Sequence, residues 1–164
     1  MEDYFLIVKD IINNEYFTYL KQIEQHGTTR YNHSMRVSYL AYMIAKFIHL
    51  DYKRVARAGV LHDFHYTEDF SNRKERFISM LSHSKKAVSN SLKHFDLSDM
   101  EKDIIKTHMF PINLYIPKYS ESWIVNISDK LIAIDEFKDK YKYKIKNKLY
   151  FISNIVLFLI IGKF

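Results

Sequence analysis

Cysteine is absent from this 164-residue chain, and glycine and proline are scarce, at three and two residues. Without cysteine there is no disulfide frame and no thiolate metal site, so any metal would be held by His, Asp and Glu. Such ligands suit iron, manganese, zinc or magnesium and select weakly among them. So few turn formers exclude a fold built on tight β-turns or flexible linkers and favour helices. The N-terminus, Met1-Glu2-Asp3-Tyr4-Phe5-Leu6-Ile7-Val8, is acidic and its apolar stretch is short. That is not a signal peptide, and the expected compartment is the cytoplasm.

The length suits one domain, and a hydrophobic content of 48% is enough to build its core. The net charge of +6 would suit nucleic acid, an anionic membrane or a phosphorylated small molecule. Most of the excess is local, however, in Lys138, Lys140, Lys142, Lys144, Lys146 and Lys148. The rest of the chain is near neutral and carries no recognisable nucleic-acid reading motif, so no specific nucleic acid is expected as a partner.

Residues 3 to 25 have helical spacing and predict one or two helices, with Gly27 as a C-terminal stop. Thr28 or Thr29 would cap a helix to about residue 49, with Met35, Val37, Leu40, Ala41, Ile44, Ala45 and Ile48 on its apolar face. Asp51 would cap a third helix carrying Val55, Ala58, Gly59, Leu61 and His62. Gly59 costs about 1 kcal/mol relative to Ala inside a helix, and a close helix crossing or metal-site packing would account for it. Residues 66 to 80 are mixed and charged and read as a loop, with room for a short helix over the site. Ser82 or Ser84 would open the next helix, ending near Phe95. Ser98-Asp99-Met100-Glu101 is a capping box for a helix through Ile104, Ile105 and His108, stopped by Pro111. Ser120 would open a helix through Ile134, with Asp129 midway.

Residues 149 to 161 are almost wholly apolar. Thirteen helical residues span about 20 Å, short of the roughly 30 Å hydrocarbon core. A terminal helix packed on the bundle or on a second subunit is the main expectation. The other is a tail that touches a membrane surface weakly behind its polybasic segment.

His62-Asp63 is the most informative pair, set in the apolar run Val55 to Phe64. His33 precedes it; His83, His108 and Asp129 follow, each in a helix or at a helix end. Side chains converging from several helices are how metal sites are built in bundle cores. An Asp among the apolar positions of a helix, as at Asp129, needs a buried partner. Each residue also has a plainer reading: a helix-end ion pair for His62-Asp63, a capping or core histidine for His33, a solvated Asp129. His83 would serve as a solvated cap in a Ser-rich turn, and His108 as a cation at a helix C-terminus. Arg30 shares a face with His33 one turn away and could meet a substrate phosphate or form an ion pair. Lys130, beside Asp129, is a second candidate for substrate. His26, His49, His65 and His94 read as surface residues or supports.

A His, then His-Asp, then a distant Asp, all on helices, resembles the HD superfamily of metal-dependent phosphohydrolases. The stretches Arg30 to Val37, Ala56 to Asp63 and Ser128 to Lys130 carry the resemblance, which covers about residues 28 to 137. With His83 and His108 between, it looks like the two-metal subset that includes the HD-type symmetrical diadenosine tetraphosphate hydrolases. Many relatives follow the His-Asp pair with an apolar residue, Gly and Lys; here Phe64, His65 and Tyr66 stand there.

The resemblance implies an all-α fold: a single HD-domain helical bundle with a metal site in its core. Residues 1–27 would form an N-terminal helical segment, 28–137 the HD core, and 138–164 a basic tract and apolar helix packed on the same domain. One or two divalent metals would be held by His33, His62, Asp63, His83, His108 and Asp129. Asp63 would also be the catalytic residue, holding metal and orienting water. Arg30 and Lys130 would bind substrate. A metal lowers the pKa of its bound water towards about 7, so hydroxide would attack phosphorus in line. The expected substrate is a phosphate ester or anhydride of a nucleotide or dinucleoside polyphosphate, and a homodimer is an open expectation. The alternative keeps the fold without catalysis, as a metal-stabilised module that senses a nucleotide or binds a partner.

Overall fold

The computed structural model describes residues 2–25, 27–66 and 72–161, with side chains except at 76, 80, 139 and 143–161. The fold is mostly helical. Helix α1 (Glu2–Ile12) buries Tyr4, Val8 and Ile11, one face at helical spacing. Helix α2 (Glu15–Thr18) is capped by Asn14, whose side chain accepts from the Tyr16 and Phe17 amides. A 3-10 turn (Tyr19–Gln22) leads into a small antiparallel pair, β1 (Glu24–Gln25) and β2 (Thr28–Thr29). Gly27, with φ of +93°, turns this hairpin. It is therefore not the helix stop its composition suggested, because two residues on each side pair as strands before the next helix begins.

Helix α3 (Arg30–Phe47) starts at Thr29, whose hydroxyl accepts from the Asn32 amide. Helix α4 (Tyr52–Leu61) is capped by Asp51. These two pack together; the long helix α7 (Ser120–Ile161) lies against α3, while α1 and α6 (Asp99–Thr107) lie against α4. At the α3–α4 crossing a Cβ on Gly59 would stand 2.9 Å from the Ser38 Cα and 3.2 Å from its Cβ. Close approach of the two backbones is what requires glycine here.

Helix α5 (Arg73–His94) is longer than the sequence implied. Residues 73–80, read as loop with room for a short helix, are its first two turns, and His83 lies inside the helix and not in a Ser-rich turn. Asn72 supplies the cap, accepting from the Glu75 amide, and no glycine or proline interrupts the stretch. Residues 67–71, also read as loop, lie outside the described residues.

Helix α6 (Asp99–Thr107) opens with the full capping box: Ser98 Oγ takes the Glu101 amide and the Glu101 carboxylate takes the Ser98 amide. Helix α7 runs unbroken from Ser120 to Ile161. The basic tract and the apolar end thus continue the helix that carries Asp129. The expected packing of side chains 149–161 lies outside the described residues. Among the described residues, no helix is long and apolar enough to cross a membrane.

Candidate metal centre

Five helices bring polar side chains into the buried core. His33 comes from the first turn of α3, Asp129 from the inner face of α7 and His83 from α5. His62 and His108 are the C-caps of α4 and α6. Each of these two donates from Nδ1 to the carbonyl three residues back: His62 to Gly59 at 2.7 Å and His108 to Ile105 at 2.8 Å. That bond fixes the tautomer and turns the Nε2 lone pair into the cavity.

Asp63 stands at the centre. Its Oδ2 lies 3.8 Å from His62 Nε2, and its Oδ1 lies 3.4 Å from His83 Nε2 and 3.6 Å from His108 Nε2. His83 and His108 meet at 3.0 Å between their Nε2 atoms. On the other side, Asp129 Oδ1 is 3.1 Å from His33 Nε2 and 3.6 Å from His62 Nε2. Two overlapping groups result: His33, His62 and Asp129; and His62, Asp63 and His108. The six residues singled out in the sequence thus form one cluster, joined through His62.

Electrostatics follow from this crowding. Burial alone would raise the Asp63 pKa, but His62, His83, His65 and His108 outweigh it and hold it well below the usual carboxylate range. Burial also opposes charge on His33, yet Asp129 and Glu136 bond both ring nitrogens and lift it to about 10. Asp129 is depressed by the same His33 bond, with His62 adding, against the pull of burial. His62 is raised by Asp63 and Asp129 despite complete burial. His108 has no such close carboxylate pair; burial, helped by His62, pulls it down to about 3.

The donor set fits a divalent metal. Ligands bound at about 2.0–2.2 Å to one ion sit roughly 3–3.5 Å from each other, and the separations above fall in or near that range. Three buried atoms facing the centre have no hydrogen-bond partner: His62 Nε2, Asp63 Oδ1 and His65 Nδ1. Orphaned polar atoms are costly in a core unless something binds them. The proton that His33 Nε2 shares with Asp129 occupies the place a metal would take.

The remaining expected residues have other neighbours. Arg30 Nε donates to Gln25 Oε1 at 2.7 Å and Nη1 to the His65 carbonyl at 2.6 Å. Gln25 Nε2 in turn donates to Asp63 Oδ2 at 2.7 Å. Arg30 therefore braces the central carboxylate through the hairpin. Lys130 Nζ donates to the carbonyls of His108 and Asn126, both at 3.3 Å, tying α7 to the end of α6. His65 stacks on His83 with ring centroids 5.0 Å apart. His94 stacks on Tyr16, His49 is exposed, and His26 lies outside the described residues.

Two contributors escaped the sequence reading. Glu136 accepts from His33 Nδ1 at 2.9 Å and is itself held by Arg36 at 3.0 Å. A carboxylate behind a ligating imidazole orients the ring and raises its basicity. Glu136 sits seven residues after Asp129, two turns along the same face, and that spacing was the available signal. Gln25 gave none, because only the hairpin brings it to Asp63.

No curated protein and no solved structure matches the chain. A family model for the HD domain matches residues 30–134, which takes in His33, His62-Asp63, His83, His108 and Asp129. With this match over most of its length and the buried His/Asp cluster inside the matched region, the chain belongs to the HD domain family.

Proposed function

We propose that the protein is a metal-dependent phosphohydrolase acting on a nucleotide, at a phosphate ester or at the anhydride of a dinucleoside polyphosphate. The observation that carries this reading is the Asp63 carboxylate. One oxygen faces His62, the other faces His83 and His108, and Asp129 with His33 closes the far side. His33, His62 and Asp129 on one side, and His62, Asp63, His83 and His108 on the other, are the residues that would hold divalent metal. Bound metal would supply Lewis-acid polarisation of phosphoryl oxygens and a nucleophilic water near neutral pH.

The chain's own residues have definite parts in this reading. Asp63 stays ionised and is held in place by Gln25, itself held by Arg30. His62 and His108 each commit Nδ1 to a carbonyl, so Nε2 is the nitrogen each presents to the cavity. Glu136 keeps the His33 Nδ1 proton, freeing Nε2 for metal. Phe64 is fully buried directly after Asp63 and keeps water from that side. Arg30 and Lys130 remain the proposed phosphate contacts, although the acceptors they now hold make them positioning groups first.

The test is elemental analysis of protein purified without chelator, then a nucleotide screen with phosphate release as readout. Metal near two equivalents and release that chelator abolishes are the expected results. Stoichiometric metal with no turnover of any nucleotide would refute hydrolysis and favour the sensing module.

A further inference from the structure

The outer face of α7 carries Trp123, Ile127, Leu131, Ile134, Phe137 and Tyr141, each between 41% and 70% exposed. Scattered exposed apolar residues are ordinary; six on one helix face are not. Two cations fall within the stripe: Lys130, turned away to the His108 and Asn126 carbonyls, and Lys138, exposed near its C-terminal end. Trp123 is steadied by Phe110, edge-on at 5.4 Å.

The spacing is close to a palindrome. The six fall nine, five and one residues before Ile132 and two, five and nine after it. In an antiparallel helix pair across a two-fold axis near Ile132, Trp123 meets Tyr141, Ile127 meets Phe137 and Leu131 meets Ile134. A two-fold interface needs this self-complementarity: residue i meets j, and j meets i.

We propose that this stripe is a homodimer interface, with the α7 helices of two copies packed antiparallel. Charge favours the same direction. Parallel pairing would set the lysines from Lys138 to Lys148 of both copies side by side. Antiparallel pairing moves the two tracts to opposite ends, beyond a Debye length of about 8 Å. The contact from Trp123 to Tyr141 is about 27 Å long. Three half-exposed aromatics of about 150–250 Å² each and three aliphatics leave several hundred Å² per copy. That is the scale of a stable interface, roughly 800 Å² per partner. Aromatic enrichment of this kind is characteristic of protein interfaces.

The experiment is sedimentation equilibrium of the full chain on the order of 10 µM. Wild type is expected as a dimer. Leu131→Glu with Ile134→Glu, at the crossing point, should weaken it at least about 100-fold with unchanged far-UV circular dichroism. Trp123 is the only tryptophan, so its emission should shift to the red on dissociation. Because the chain has no cysteine, Trp123→Cys and Tyr141→Cys proteins can be mixed and oxidised. A disulfide between the two variants, and none within either alone, is expected. A monomeric wild type, a dimer indifferent to the double substitution, disulfides within each single variant, or a stripe that binds anionic vesicles as a monomer would each overturn the proposal.

Discussion

Replacing Gly59 with alanine sets two effects of known sign against each other. Helix propensity favours the substitution by about 1 kcal/mol. Packing opposes it, because the new Cβ would stand 2.9 Å from the Ser38 Cα, a backbone atom with no rotamer to change. Ser38 is doubly fixed: its Oγ donates to the Ala56 carbonyl at 2.6 Å and accepts from Tyr4 at 2.9 Å. The helices must therefore part, and overpacking of this kind costs about 1–3 kcal/mol. A net loss of up to about 2 kcal/mol is expected, or a melting point lower by up to about 8 °C for a chain of this size. The strain has a second outlet, since the Gly59 carbonyl orients His62. Metal loading should fall along with stability. Urea unfolding with metal analysis on the same preparation measures both. Ser89→Ala and Ser89→Gly, on the exposed face of α5, measure propensity alone. If Gly59→Ala stabilises the protein by the same amount that separates those two, the close crossing does not constrain the fold and the reasoning fails.

Asp63→Ala should abolish phosphate release and bound metal together, whereas His65→Ala, at 4.0 Å from Asp63 and stacked on His83, should lower activity far less; equal losses would make His65 a ligand. Glu136→Ala should weaken metal affinity about 10–100-fold through His33, the usual effect of removing such a support, as read by competition with a chromophoric chelator; unchanged affinity would reduce Glu136 to a partner of Arg36. Burial lifts the Tyr4 phenol from 10.0 to about 12, with the Ser38 bond opposing. Its folded value lies above its unfolded value, so its contribution is complete below pH 10 and lost as pH rises towards 12. About 2 pH units correspond to about 3 kcal/mol, and Tyr4→Phe should flatten this alkaline decline in denaturant titrations; an identical decline in both proteins would show that Tyr4 does not cause it.

What could be read from the sequence was whatever is encoded within one or two helical turns. Thr29, Asp51 and the Ser98–Glu101 box announce their helices because a cap and its amides are neighbours in the chain. His33, His62, Asp63, His108 and Asp129 stood out as polar residues interrupting apolar faces. The start of α5 was hidden by composition. Its first turns are charged and their apolar residues, Phe77 and Ile78, are exposed, so no buried face betrays the helix. Gln25 was hidden by distance, as its bond to Asp63 spans 38 residues and depends on a four-residue strand pair. Glu136 was legible in principle, but beside the lysine tract it reads as surface charge, and only the packing of α3 on α7 turns it inward.

In the proposed metal site the two C-cap histidines would make the ends of α4 and α6 part of the ligand set. Each imidazole is anchored to the last turn of its own helix, so a fraying turn carries its ligand away. Occupancy and helix closure then become a single equilibrium. At a free metal concentration of about 100 times Kd, binding stabilises the closed form by about 2.7 kcal/mol. In hydrogen exchange that would appear as roughly 100-fold slower opening-limited exchange at the amides of Leu61 to Phe64 and of Thr107 to Phe110, while the exposed turns of α5 stay unchanged. Helix ends, ordinarily the first parts of a fold to open, would here become its metal-dependent clasps.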